Sequence, residues 1–390
     1  MPGKRIYLDA NATTPLDPRV REAMVPWLDC GNASSLHREG RAARDAIDRA
    51  REQVAALLGA APKEIVFTSG ATEANALALL GALRASGTRK VLTTAVEHPS
   101  VLRTLEHLKP GIDLAIAPVG PDCVVDPDLA IAPGTGLVSI MLANNETGAV
   151  QPVAQIAARA RAAGAAVHCD AVQACGKLPV SVAELDVDLL VCSAHKMNGP
   201  KGAGALFVRR GIRPAPLFRG GEHERGLRPG TENVAAIVGF GAAAELAAAE
   251  LEARRAAWHR LSGLFVDRLR EALSGVRFHL AEKRIENTIS LTIDGAEGEA
   301  VLLGLDLEGV AVATGSACSS GAAEPSHVLL AMGLSREDAE RTLRVSMHAG
   351  TTENDVLAGV NSLVRIVKKI RALSCGAHGS PHVDARGGIS

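Results

Sequence analysis

The chain has 390 residues, 47% of them hydrophobic and 22% charged, which is enough for two domains sharing a continuous interior and is ordinary for a soluble globular protein. Its 42 basic and 43 acidic residues balance to a formal net charge of -1, leaving no basic excess for a nucleic acid or an acidic membrane surface. No apolar run reaches the roughly 18–20 residues that cross a bilayer, and the opening MPGKRIYLDANATT lacks the charged-then-apolar layout of a signal peptide, so a cytoplasmic location is expected.

In chain order, short β-rich runs alternate with helical patterns. EIVFTS (64–69) precedes the helical ATEANALALLGALRAS (71–86), and KVLTTA (90–95), DLAIAPV (113–119) and GLVSIML (136–142) follow as strands. VAQIAARARAAG (153–164) reads as a helix; AAVHCD (165–170), VDLLVCS (187–193) and GALFVRR (204–210) complete seven strands. This alternation predicts an α/β fold, a mostly parallel seven-stranded sheet with helices on both faces. The Pro-free stretch 234–273 reads as one or two helices leading out of that domain. From about 275 the strand NTISLTI (287–293) and the helix EGEAVLLGLDL (297–307) suggest a smaller α+β domain. The Gly/Ser/His-rich end, 375–390, is expected to be a disordered tail.

Seven cysteines, at 30, 123, 169, 175, 192, 318 and 375, are odd in number, widely spaced and free of any C-x-x-C pair. That argues against a disulfide framework and a zinc finger, and no metal site is expected. Cys169 and Cys192 lie in apolar strands and read as core. Cys318 sits in ATGSACSSG (313–321), where no bulky side chain could bury it.

Open sheets of this kind bind ligands at the carboxyl ends of their strands, and those ends carry chemistry. Lys196 follows VDLLVCS in a chain with only ten lysines. It is either a Schiff-base lysine for pyridoxal phosphate, its amine freed by partial burial, or a solvated surface lysine; Lys201 is the rival in the same loop. Asp170 ends AAVHCD, where a carboxylate could pair with a pyridinium nitrogen or cap the next segment. Gln173 could donate to a phenolic oxygen. Gly70-Ala71-Thr72-Glu73 opens a helix after EIVFTS and is either a phosphate site at a helix N-terminus or a tight βα turn. His98 could stack on a flat cofactor and shuttle protons, or cap a helix. Asn145 could bond a substrate carboxylate or the ring, with Asx-turn chemistry the plainer alternative. Together these groups describe one cleft for one phosphorylated, flat, electrophilic cofactor, and pyridoxal 5'-phosphate fits.

YLDANATTPLDPRV, GNASSLH, FTSGATEAN, VEHPSVL, MLANNETG, HCDAVQACGK, SAHKMNGPKG, RGLRPGTEN and GSACSSG occur in this order, from about residue 6 to TTEND at 351–355. With them the chain resembles the cysteine desulfurases of the NifS/IscS kind, pyridoxal-phosphate enzymes of the aspartate-aminotransferase fold (fold type I, aminotransferase class V). The resemblance implies a large cofactor-binding domain at 15–255 and a small domain built from 1–14 and 256–374. It implies that Lys196 holds the cofactor and takes the substrate's α-proton, that Asp170 holds the pyridine nitrogen, Gln173 the phenolic oxygen, and that His98 stacks on the ring. Thr72, Ser193 and His195 would bind the phosphate, and Thr231 of the GTEN motif would reach the phosphate of a neighbouring subunit in a homodimer with shared active sites. Arg344, helped by Asn145, would grip the carboxylate of L-cysteine. Cys318 would be the nucleophile that takes the sulfur as a persulfide, with His98 as the candidate base, and passes it to an acceptor such as an iron–sulfur scaffold. Departures from the family wording are HAG before TTEND, a compressed 121–136 expected to alter a surface connection, and the tail beyond 375. A selenocysteine lyase, another β-elimination enzyme on the same scaffold, or an idle partner-binding homologue are the alternative expectations.

Overall fold

The computed structural model describes residues 5–314 and 324–377. All seven expected strands form one sheet, in the spatial order Ile65–Thr68, Gly204–Val208, Leu189–Ser193, Ala166–Asp170, Thr135–Met141, Lys90–Thr94, Asp113–Ala117. Gly204–Val208 runs antiparallel to both its neighbours, while the other pairings are parallel. The reason is the connection: antiparallel strands need no crossover helix, so the short segment 194–203 joins Leu189–Ser193 to Gly204–Val208 directly. Six of the strands thus present carboxyl ends on one edge, and segment 194–203 turns over at that same edge.

The expected helix 71–86 is found as Ala71–Ser86 and the expected 153–164 as Val153–Ala162. The 234–273 stretch is two helices, Val234–Ala249 and Leu251–Ala272, bent by 70° at their junction. Val234–Ala249 is largely apolar because most of it is buried, with Glu245, Ala248 and Ala249 exposed toward its end. A Cβ on Gly241 would lie 2.6 Å from Ala50 Cα, so glycine there lets the helix Arg38–Leu58 approach at backbone distance. Among the described residues no single helix is long and apolar enough to cross a membrane.

A second sheet is wholly antiparallel, in the order Ala313–Thr314, Thr342–Ser346, Thr288–Ile293, Val276–Phe278. Its apolar cluster, with Leu8, Trp258, Phe265, Leu291, Leu343 and Val367, is separate from the cluster under the large sheet. The N-terminal strand Ile6–Tyr7 joins this second region, pairing in parallel with Val310–Ala311. Two expectations need correction. The helix Glu353–Ala377 continues through residues assigned to the tail, whose remainder, 378–390, lies outside the described residues. The 121–136 connection is not only surface: Cys123 and Val125 are buried, and Gln151 ties them down by donating to Cys123 O at 2.7 Å and accepting Val125 N–H at 2.9 Å.

Candidate active site

Lys196 ends the 3-10 turn Ala194–Lys196 that follows strand Leu189–Ser193. Ala194 N donates to Ala203 O, and Met197 and Gly199 both donate back to Ala194 O, which curls the chain and swings Lys196 over the sheet edge. Its Nζ donates to Asn11 O and, at 2.8 Å, to Ala12 O, both on the N-terminal segment. The amine is half-buried, and its pKa is pushed down to about 8, first by burial and then by the Arg344 cation, against Asp9 and Asp170. It is not a solvated surface lysine. Lys201 is exposed beyond the turn.

Asp170 closes the strand Ala166–Asp170 and is buried. Oδ1 accepts Val172 N–H at 3.0 Å, so it does brace the next turn; Oδ2 accepts Asn75 Nδ2 at 2.8 Å. His98 is the N-cap of the helix Pro99–His107, its Nδ1 accepting Ser100 N–H at 3.1 Å. The capping alternative is thus realised. The ring is crowded by protein yet open to water, as on a cleft wall, and desolvation holds its pKa low.

The N-terminal segment ties the site together through Asn11. Its carbonyl oxygen receives Lys196 and also Gln173 Nε2 at 2.9 Å, and its Oδ1 receives Lys177 at 3.3 Å. Lys177 also donates to Gln173 Oε1, which fixes the direction of that amide. Buried with only neutral acceptors, Lys177 has its pKa driven down by desolvation, with the Lys196 and Arg344 cations adding to the effect. In the sequence this lysine lies inside the block HCDAVQACGK. The scarcity that drew notice to Lys196 applies equally to Lys177.

Arg344 comes from the second sheet, in strand Thr342–Ser346. It is buried; Nη2 donates to Asp9 Oδ1 at 2.7 Å and Nη1 to Asn145 O at 3.2 Å, while Nε is buried without a hydrogen-bond partner among the described residues. Asn145 itself is half-buried. The Asx-turn alternative belongs to its neighbour: Asn144 Oδ1 accepts Glu146 N and Thr147 N.

The helix Ala71–Ser86 starts at Gly70 with no side chain capping its first amides, and Thr72 is exposed on that first turn. A Cβ on Gly204 would stand 2.6 Å from Gly70 C, so glycine in the neighbouring strand is what lets the turn sit flat on the sheet edge. Glu73 accepts Ser69 N–H at 2.8 Å and pairs with Arg228 at 2.9 Å, which draws the loop bearing Thr231 toward this turn; Thr231 is exposed. Ser193 is buried, its hydroxyl 3.4 Å from Ala203 O. His195 Nδ1 lies 3.2 Å from Thr13 Oγ1, and burial together with Lys196, Lys201 and Lys177 pushes its pKa down to about 4.

The structure therefore brings Lys196, Gln173, Asn145 and Arg344 into one bonded network through Asn11, with Asp170 and His98 linked beside it. Cys318 lies outside the described residues, but the chain on either side of it is anchored here. Ala313 pairs with Arg344, and Ser326 donates to Glu146 while His327 donates to Glu97 O at 2.9 Å, one residue from His98.

Residues 6–358 match the family model described as aminotransferase class-V. The chain is 43% identical over 379 residues to a protein named cysteine desulfurase from Enterobacter agglomerans, covering 95% of this chain and 94% of that one. It is likewise 43% identical over 380 residues to cysteine desulfurase IscS from Dictyoglomus turgidum, covering 95% and 96%. Among solved structures, one titled NifS-like protein superposes with a TM-score of 0.88 at 36% identity, covering 94% of this chain and 100% of that chain.

Proposed function

The chain belongs to the aminotransferase class-V family, and from that premise we propose that it is a pyridoxal-phosphate-dependent cysteine desulfurase, converting L-cysteine to L-alanine and handing on the sulfur. The observation that carries this is the amine of Lys196, lowered to about 8 just past a strand end and acted on by Asp170 and by a buried Arg344 whose Nε has no acceptor among the described residues. The residues fit the cofactor. A neutral amine is available for an aldehyde, an uncapped helix start is available for a phosphate, and a carboxylate held only by neutral N–H groups is available for a ring nitrogen. When bound, the cofactor supplies an electron-accepting ring that stabilises negative charge on the substrate's α-carbon.

In this reading Lys196 would hold the cofactor and its amine would take up the substrate's α-proton. Asp170 would hold the ring nitrogen, Gln173 would donate to the phenolic oxygen, and His98 would stack on the ring. Thr72, Ser193 and His195, with Thr231 of a second subunit, hold the phosphate. Arg344 and Asn145 hold the substrate carboxylate, a charge-assisted match that guanidinium geometry favours. Cys318 Sγ, as thiolate, attacks the sulfur of the bound substrate: an S–S bond forms, the Cβ–S bond breaks, and its electron pair leaves with the carbon that protonates to alanine. The anchoring of both flanks of Cys318 beside Arg344 and His98 supports that assignment.

The same reading includes the division into 15–255 and 1–14 with 256–374, supported by the main apolar cluster of each, while a smaller cluster with Val96, Met141, Val328 and Leu329 joins the two. It includes a cytoplasmic homodimer passing sulfur to an iron–sulfur scaffold or another acceptor. Leu28 and Leu36 are 65% and 89% exposed, and Ser34 of the latter's loop meets His223 of the loop leading to Thr231. That apolar face suits a second copy.

Incubation with L-cysteine without reductant, followed by mass mapping of the Cys318 peptide and assay of alanine, tests the function. A sulfur adduct on Cys318 with matching alanine is expected. Alanine without the adduct would remove Cys318 from its role, and neither product would overturn the desulfurase reading.

A further inference from the structure

Asn75, which no part of the functional reading uses, is fully buried on the helix Ala71–Ser86. Its Nδ2 makes two hydrogen bonds, 2.8 Å to Asp170 Oδ2 and 2.9 Å to Ser100 Oγ. Its Oδ1 is 3.1 Å from His168 Nε2, and His168 Nδ1 is 2.8 Å from Ser139 Oγ. A carboxylate only accepts, so the nitrogen of the amide faces Asp170 and the oxygen faces His168. His168 must then donate from Nε2 and accept the Ser139 hydroxyl at Nδ1. Burial holds this ring neutral, with a pKa down at about 4.

The other branch has a direction too. Ser100 Oγ accepts from Asn75, and its own proton faces His98 Nδ1 at 2.8 Å. That nitrogen already accepts Ser100 N–H, so it presents a lone pair to both donors, and the proton of neutral His98 is on Nε2. Donation therefore runs from Ser139 through His168 to Asn75, where it divides toward Asp170 and, by way of Ser100, toward His98.

We propose that Asn75 is a positioning residue for the desulfurase reaction: one side-chain nitrogen sets the Asp170 carboxylate and, through Ser100, fixes His98 with its proton on Nε2. His98 consequently meets the reacting groups as a neutral hydrogen-bond donor through Nε2. This differs from the expectation that His98 is the base for the Cys318 thiol. The charged and titratable groups facing the ring are Asp170, which favours a second proton, and Lys196 and His327, which oppose it. The roles of Asp170 and His98 rest on the reading above; the hydrogen-bond relay does not require turnover.

Histidine-labelled full-length protein, with and without cofactor, reads the relay by nitrogen NMR, His98 being assigned by the signal lost in His98→Gln. Wild type is expected to show neutral His98 protonated on Nε2. Ser100→Ala removes one donor from Nδ1 and raises the His98 pKa by about 0.7 unit, the worth of one ordinary hydrogen bond; Ser100→Thr keeps the hydroxyl and restores it. Asn75→Ala shifts His98 in the same direction. Unlike Ser100→Ala, it also displaces the pH titration of the cofactor's absorbance, and it lowers kcat about 10-fold while KM for cysteine holds. A wild-type ring protonated on Nδ1, or a His98 pKa indifferent to Ser100→Ala, overturns the proposal; the serine pair suffices if Asn75→Ala does not fold. If wild type makes no alanine but the His98 shifts appear, the functional reading fails and the relay stands.

Discussion

Asp170, at the end of its strand in the large sheet, has both oxygens occupied, whereas Arg344, in the small antiparallel sheet, keeps a buried Nε with no acceptor among the described residues. Both act on Lys196, with opposite sign. The carboxylate is built in advance, by neutral N–H donors that fix its aim. The guanidinium is left partly unsatisfied, and a buried donor in that state gains when an anion arrives. One side of the site is organised for a resident group and the other for a visitor.

Removing the amine on which both act has the largest effect: Lys196→Ala should abolish turnover and the cofactor's protein-linked absorbance, and a surviving borohydride-reducible adduct would transfer the role to Lys201. The two charges should then separate kinetically. Asp170→Ala should lower kcat about 1,000-fold, the scale of losing one preorganised electrostatic group. Arg344→Ala should instead raise KM for cysteine about 100-fold, since charge-assisted bonds are worth about 1.5–3 kcal/mol each. Equal effects on kcat and KM from both variants would break the comparison.

A subtler test uses the amine's pKa. Cofactor uptake by cofactor-free protein needs neutral Lys196, so its rate should rise with pH through about 8 and then level. Asp170→Asn removes the charge that raises this midpoint and should move it down; Arg344→Ala removes one that lowers it and should move it up. An unmoved midpoint in both variants would show that desolvation alone sets the amine.

The smallest expected effect concerns Glu97, the buried neighbour of His98 in sequence, with its pKa pushed up to about 8 mainly by burial and one oxygen without a partner among the described residues. Its folded pKa exceeds the unfolded value near ~4.3, so its contribution is intact at low pH and lost as pH rises from there through about 8. Glu97→Gln should melt within about 2 °C of wild type at pH 4 and increasingly above it as the pH rises toward 9. Identical pH dependence in the two proteins would remove Glu97 from the account.

The strands were legible because each is a short, largely apolar run, and two polar residues at their ends, Asp170 closing one strand and Lys196 in the turn after another, led to the site. Strand ends were read one or two residues long where side chains take over from the ladder, as where Asp188 accepts Val167 N–H before Leu189 begins pairing. What escaped notice are buried polar groups whose partners are remote in sequence. Asn11 meets Gln173, Lys196 and Asn287; Asn75 meets His168 and Asp170. Asn75 sits on an otherwise Ala/Leu-rich helix, where a buried amide signals a partner without saying which. The helix cap at His98 was read only as an alternative, since a histidine can cap and still face a cleft.

The N-terminal segment pairs at Ile6–Tyr7 with Val310–Ala311, and Ala10 and Asn11 bind Ser346 before Asn11 and Ala12 reach Lys196. During synthesis, then, the residues that seat the lysine are made first and must wait for more than three hundred others before the strand that receives them exists. The large sheet can form on the ribosome, but its lysine is not seated until the chain has been made as far as Ser346. Until then a nascent chain would offer the cofactor a loose amine and no guanidinium.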